Sequence, residues 1–166
     1  MSDSANDNIE LRGVRPADIP IFFEHQQDVI ASEMAAFHAR DRESFNAHWT
    51  RLLDDPAVAA RTVLFERRVA GNVVSFVHDG QREVGYWLGR AFWGKGIATQ
   101  ALAAFLHEES FRPLYGYVAK HNTGSMRVLE KCGFGLIGED PAFTTLNGVD
   151  VPGFILRLDT IRPSSG

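Results

Sequence analysis

Apolar positions along the chain change period several times, and each change marks an element. Ile9, Leu11 and Val14 alternate loosely with polar residues, which predicts a strand over 9–15. Pro16 and Asp18 then open a helix through Phe22 and Phe23, since proline suits a first turn and an early acid suits the helix dipole. A second helix is expected over 44–53, with Phe45, Trp49 and Leu52 on one face. Three β-rich runs follow at 62–66, 69–77 and 83–88, broken by Arg67-Arg68 and by Asp79-Gly80, the latter a strong hairpin signal. The period then lengthens: Ile97, Ala98, Ala101, Leu102, Phe105 and Leu106 recur at helical spacing from about Gly96. A short strand over 114–118, a helix over 122–132 and strands over 134–137 and 153–158 complete the chain.

This order (strand, two helices, three-strand meander, helix, strand, helix, two strands) is not the alternation of a doubly wound sheet. It predicts a single α/β (α+β) domain over 9–161, with a mixed, mostly antiparallel central sheet and helices on both faces. Polar tails are expected over 1–8 and 162–166. The 166 residues are 45% hydrophobic and 23% charged, enough to bury a core. The net charge of −4 and the lack of a basic, aromatic-interleaved patch disfavour nucleic-acid binding. Cys132 is the one cysteine, so no internal disulfide forms, and its apolar helical setting reads as a buried thiol. No apolar run reaches membrane-spanning length and the polar N-terminus is unlike a signal peptide, so the expectation is a cytoplasmic protein that neither spans a membrane nor binds a metal.

Arg90-Ala91-Phe92-Trp93-Gly94-Lys95-Gly96-Ile97-Ala98-Thr99 is the most informative stretch. A strand ends, two glycines free the backbone, and a helix starts at once. Unpaired N–H groups at a helix start attract anions, and glycines let a pyrophosphate approach the main chain. A tight turn with a surface lysine has the same look. Gly89 and Gly94-Lys95 also fit a nucleoside-triphosphate loop, but that loop needs Ser or Thr where Gly96 stands, and the strand over 114–118 lacks an aspartate for magnesium.

The run Asn122-Thr123-Gly124-Ser125-Met126 to Gly133-Phe134 is the second signal. Asn122 suits an N-cap and Gly133 a left-handed C-cap, with Met126, Leu129 and Cys132 as the buried stripe. Together with the glycine loop at its distance upstream, the segment 83–134 resembles the GNAT superfamily of N-acetyltransferases. It is closest in pattern to the branch that contains enzymes acetylating ribosomal-protein N-termini. That family's loop carries Gln or Arg, two residues, Gly, one residue, then Gly or Ala. This chain matches at Gly96 and Ala98 and departs at Trp93.

The resemblance implies acetyl-CoA as co-substrate, an amine as acceptor, and transfer by direct attack of the amine on the thioester. It implies cofactor contacts from Trp87, Leu88, Trp93, Gly94, Lys95, Gly96, Ile97, Ala98 and Thr99, and from Asn122 to the pantetheine arm. A main-chain N–H near Trp87 to Gly89 would meet the thioester carbonyl. Glu83 is the leading base; His38, His48, His121 or a water chain are the alternatives. A tyrosine that relatives carry on the second helix is replaced by Leu129, and Ser125, one turn after Asn122, is placed to hydrogen-bond the departing sulfur. Phe37, His38, His48 and Trp49 are expected to wall the acceptor pocket. The acceptor itself is left open between a protein N-terminus, a small amine and an aminoglycoside-like compound. A non-catalytic acyl-CoA-binding module on the same fold is the alternative, and the branch's frequent dimers admit a homodimer.

Overall fold

A computed structural model describes residues 8–37, 39–146 and 149–159. The elements in chain order are β1 (Ile9–Gly13), α1 (Asp18–Gln26), α2 (Val29–Ala35), α3 (Arg42–Asp54), β2 (Ala59–Phe65), β3 (Arg68–His78), β4 (Gln81–Leu88), α4 (Ile97–Glu108), β5 (Leu114–Ala119), α5 (Thr123–Lys131), β6 (Gly135–Leu146) and β7 (Val149–Leu158). They form one seven-stranded sheet in the order β1-β2-β3-β4-β5-β7-β6. Neighbours are antiparallel except β4 and β5, which are parallel. The expected mixed, mostly antiparallel sheet is thus present.

Two apolar clusters hold helices to opposite faces of the sheet. Ile97, Leu102 and Phe105 of α4 and Leu129 of α5 pack with Val73, Leu114 and Leu156 on one face. Phe22 of α1 and Phe45 and Trp49 of α3 pack with Val74 on the other. Val73 and Val74 are neighbours in β3, so the period-two pleat sends them to opposite sides. Burying a phenylalanine such as Phe105, with 0% exposure, stabilises by about 2–3 kcal/mol.

The meander turns are both two-residue hairpins with left-handed backbone: Glu66 and Arg67 at φ 50° and 67°, Asp79 and Gly80 at φ 50° and 76°. The first turn falls one residue earlier than the expected Arg67-Arg68. Three further differences from the sequence reading stand out. A short extra helix, α2, is capped by the Asp28 carboxylate, which accepts from the N–H groups of Ile30 and Ala31. Strand β1 ends at Gly13, two residues early, because the chain turns ahead of Pro16. The last two strands are much longer than expected and include Pro141 and Pro152, both tolerated where the β6–β7 register slips between Asp140 and Thr144, opposite Val151 to Gly153. The expectations for the two tails lie, apart from Asn8, outside the described residues. Among the described residues no helix is long and apolar enough to cross a membrane.

Candidate active site

Strands β4 and β5 touch and then part. Among the described residues their ladder has one pair, Glu83 with Tyr115, near the start of both strands. Toward their C-terminal ends they diverge, and helices α4 and α5 begin just beyond them. The gap opens into a cleft of about 400 Å³. Clefts at the carboxyl ends of strands, where parallel neighbours lead to different helices, are where open sheets bind ligands.

Four pieces line the cleft. The end of β4 gives Tyr86, Trp87 and Leu88; the loop and first turn of α4 give Trp93, Gly94 and Gly96 through Thr99. The start of α5 gives Asn122 through Ser125, and α2 closes the far side with Ala31, Met34 and Ala35. The sequence-expected cofactor residues therefore meet at one place, apart from Lys95, which is exposed in the loop and does not line it.

The loop geometry follows from its glycines. Gly94 and Gly96 both adopt φ +76°, a left-handed conformation that side chains resist. Gly96 is the N-cap of α4 and offers no side chain to cap it, so the first-turn N–H groups keep their capacity for an anion. A β-carbon on Gly96 would meet open space, with only Gln100 Nε2 at 4.0 Å. Trp93 anchors the loop, its indole N–H donating to the Leu88 carbonyl at 3.1 Å. Gly89 serves packing instead: a β-carbon there would lie 2.7 Å from the His25 ring.

The start of α5 is organised by Asn122, whose Oδ1 accepts from the Ser125 N–H at 3.2 Å. That leaves the amide NH₂ of Asn122 as a donor. The Ser125 hydroxyl lies 2.5 Å from the Tyr86 hydroxyl, which is also within 3.2 Å of the Ser125 carbonyl oxygen. Burial, with Cys132 adding to it and the Ser125 hydrogen bond opposing, pushes the Tyr86 phenol up to about 12. Tyr86 was not singled out in the sequence. The available signal was its place in the β4 alternation with Val84 and Leu88, which sends it to the face that α5 covers.

Trp87 points to the opposite face, where Phe37 meets it edge-on with ring centroids 5.2 Å apart. Its Nε1 is buried with no hydrogen-bond partner in the structure. Glu83 shares the Trp87 face, two alternations back along β4, and does not line the cleft. His78 Nδ1 lies 3.3 Å from its carboxylate. Burial raises the Glu83 pKa, His78 and its hydrogen bond pull it down, and Asp79 pushes it up, with a net rise.

The expected acceptor wall is corrected in two places. Trp49 is 5% exposed and stacks among Phe22 and Phe45, so it is a core residue that does not reach the cleft. His48, on the neighbouring position of α3, also lies off the cleft; burial and the charges of Arg40 and Arg51 lower its pKa to about 4. Sequence periodicity could not see that α2, rather than α3, covers the gap. His38 lies outside the described residues. His121 instead ties the α5 loop to α2, with Nε2 2.9 Å from the Glu33 carbonyl oxygen.

A parted β4–β5 pair with an anion-suited helix start beside it makes a cleft fitted to a phosphate-bearing ligand. The chain belongs to the GNAT acetyltransferase family, whose domain model, Acetyltransferase (GNAT) domain, matches residues 8–135. A probable N-acetyltransferase of Bacillus subtilis (strain 168), YjcK, is 40% identical over 70 residues, 40% of this chain and 39% of that protein. The match thus spans well under half of that curated relative's length.

Solved structures agree on the fold. Spermidine N-acetyltransferase from Vibrio cholerae, in complex with CoA and spermine, superposes with a TM-score of 0.81 at 16% identity, covering 93% of this chain and 96% of that one. RimL, a ribosomal L7/L12 alpha-N-protein acetyltransferase in complex with coenzyme A, gives 0.80 at 18% identity over 92% and 94%. The microcin C7 self-immunity acetyltransferase MccE, in complex with acetyl-CoA and AMP, gives 0.77 at 22% identity over 93% and 94%.

Proposed function

We propose that the protein transfers an acetyl group from acetyl-CoA to a primary amine, a protein N-terminus or a small molecule, by direct attack on the thioester. The observation that carries this is the cleft itself: an uncapped helix start at one end and a serine hydroxyl at the other, joined by the free end of β4. The first-turn N–H groups of α4, between Gly96 and Thr99, hold the pyrophosphate. Asn122 donates to the pantetheine arm. The orphaned indole N–H of Trp87 supports a ligand there, since buried donors are normally paired.

In the reaction the amine nitrogen bonds to the carbonyl carbon, and a main-chain N–H at the end of β4, at Trp87 or Leu88 because that of Gly89 is given to the Ala70 carbonyl, steadies the oxygen as it becomes negative. The C–S bond then breaks with its electron pair on sulfur. Ser125 hydrogen-bonds that thiolate. Glu83 takes the proton lost by the amine through a water, because it stands back from the cleft; its raised pKa suits that task. Phe37 and the α2 residues Ala31 and Met34 flank the acceptor's approach beside Trp87.

Calorimetric titration with acetyl-CoA, set beside Mg-ATP, tests the reading, followed by an amine panel monitored by CoA release. Micromolar binding of acetyl-CoA alone and turnover with a primary amine are expected. Binding without turnover on any amine would point to an acyl-CoA-binding module instead, and no heat with acetyl-CoA would end the proposal.

A further inference from the structure

Two hydroxyls, one from β4 and one from α5, meet inside the cleft. Tyr86 Oη lies 2.5 Å from Ser125 Oγ and 3.2 Å from the Ser125 carbonyl oxygen. Among the described residues Ser125 Oγ has no other partner. The phenol has one proton and two acceptors within reach, and the nearer is the serine oxygen. If it goes there, the serine's own proton is left to point at the sulfur. In the opposite arrangement the phenol donates to the carbonyl and the serine proton is spent on the phenol oxygen, so the cleft loses its donor.

We propose that Tyr86 is a positioning residue for the leaving group: it donates to Ser125 Oγ and so turns the serine proton into the cleft, toward the departing sulfur. The inference rests on the acetyltransferase reading above. Two observations favour it. Leu129 of α5 is 2% exposed and packs over Gly116, whose added β-carbon would lie 3.1 Å from it, so α5 has no room for a phenol there and β4 supplies the one that meets Ser125. And with its pKa near 12 the phenol stays protonated at any working pH, which makes it a standing donor. It is not the acid. A thiol titrates at about 8.5, well below the phenol, so moving the phenolic proton to the thiolate is uphill.

The balance of the step is simple. The new C–N bond forms, the C–S bond breaks with its pair on sulfur, and the thiolate gains a proton from solvent to match the one the amine gave up. Tyr86 and Ser125 keep theirs.

The test compares the full chain with Tyr86→Phe, Ser125→Ala and the double variant. Three quantities are read: kcat against KM, the Kd of acetyl-CoA by calorimetry, and the thiol pKa of bound CoA from its thiolate absorbance. Phenylalanine keeps the ring, so the fold is retained and circular dichroism checks it. Tyr86→Phe should lower kcat about tenfold, as expected for one lost hydrogen bond, and leave the acetyl-CoA Kd within about twofold. It should raise the bound thiol's pKa in the same direction as Ser125→Ala, and the double variant should be no worse than Ser125→Ala alone. An unchanged or faster kcat, an additive double variant, or an unmoved thiol pKa overturns the proposal. A chain that binds CoA but acetylates no amine fails the acetyltransferase reading, and the thiol titration then decides the role of Tyr86 by itself. Failure to bind CoA at all overturns both.

Discussion

Gly71 and Trp87 are in contact through their backbones: a β-carbon added at Gly71 would lie 2.0 Å from the Trp87 carbonyl oxygen and 2.9 Å from the Leu88 Cα. Gly71 pairs with Leu88 across the β3–β4 ladder, beside the register shift between Val63 and Leu64 in the β2–β3 pairing. The close approach therefore fixes where the end of β4 lies, and with it the main chain beside the cleft.

In Gly71→Ala the Leu88 side chain, 2.8 Å away, could shift, but the Trp87 carbonyl oxygen and Leu88 Cα could not, so the strand itself must move. Loss of about 2–3 kcal/mol of stability is expected, the range of overpacking against a rigid neighbour. Because the strand that moves lines the cleft, acetyl-CoA affinity should fall by more than tenfold even well below the melting temperature. Chemical unfolding and calorimetry measure the two effects; wild-type affinity in a destabilised variant would separate β4 placement from binding.

Asp18 joins the first strand, the first helix and β2. Its carboxylate, 2% exposed, accepts from both Arg12 guanidinium NH₂ groups at 2.7 and 3.0 Å, from the Thr62 hydroxyl at 2.6 Å and from the Arg15 N–H at 2.9 Å. Burial alone would raise its pKa, but the hydrogen bonds from Arg12, Thr62 and Arg15 and the Arg12 charge overcome that and hold it below 3.8. The unfolded chain therefore takes up the proton first as pH falls. This stabilisation is whole above about pH 5 and is lost as pH drops through the unfolded and then the folded value. Asp18→Ala should cost about 3 kcal/mol at neutral pH by leaving Arg12 and Thr62 without their acceptor. Urea unfolding between about pH 3 and pH 7 should show the variant's stability changing less with acidification than the wild type's; parallel curves would contradict the account.

Sequence alone made the sheet legible because its signals are local. Asp79-Gly80 fixes a hairpin by turn chemistry, and Ile97 through Leu106 declares a helix by period. The two helix starts at the cleft were legible for the same reason, since Gly96 and Asn122 act where the chain bends. What escaped depends on distance. Tyr86 reaches Ser125 across 39 positions, and nothing in β4 announces a partner on α5. Trp49 repeats with Phe45 and Leu52 at helical spacing whether it lines a pocket or fills a core, and packing against Phe22 decided for the core. Helix α2 is too short for periodicity to show, and its Asp28 cap was the one local cue.

The phosphate role proposed for the loop makes Gly96 a place where ligand binding and folding can be separated. Alanine at φ +76° is strained by about 1 kcal/mol, yet its β-carbon would meet open space in the free protein. Gly96→Ala should lower the melting temperature by only a few degrees while weakening acetyl-CoA at least tenfold, because the methyl would stand where the pyrophosphate approaches the main chain. Gly80→Ala, also at φ +76° with nothing near it but in the β3–β4 turn away from the cleft, is the matched control for backbone strain. Equal affinity losses in the two would assign the effect to strain and remove Gly96 from the phosphate site.

The role given to Glu83 makes a pH-dependent prediction with a second lever. As a base it must be ionised, so kcat should fall as pH drops through its pKa, which burial holds above 4.5. Glu83→Gln should lower kcat at neutral pH by about a hundredfold and erase that acid limb. His78 faces the carboxylate and pulls its pKa down through its charge and its hydrogen bond at 3.3 Å. His78→Ala removes that pull, so the acid limb should move to higher pH while the plateau at alkaline pH is retained. A merely structural carboxylate would give neither result. If kcat of Glu83→Gln follows the wild-type curve, proton removal runs through water to main-chain carbonyls, and the His78 variant should then leave the limb where it was.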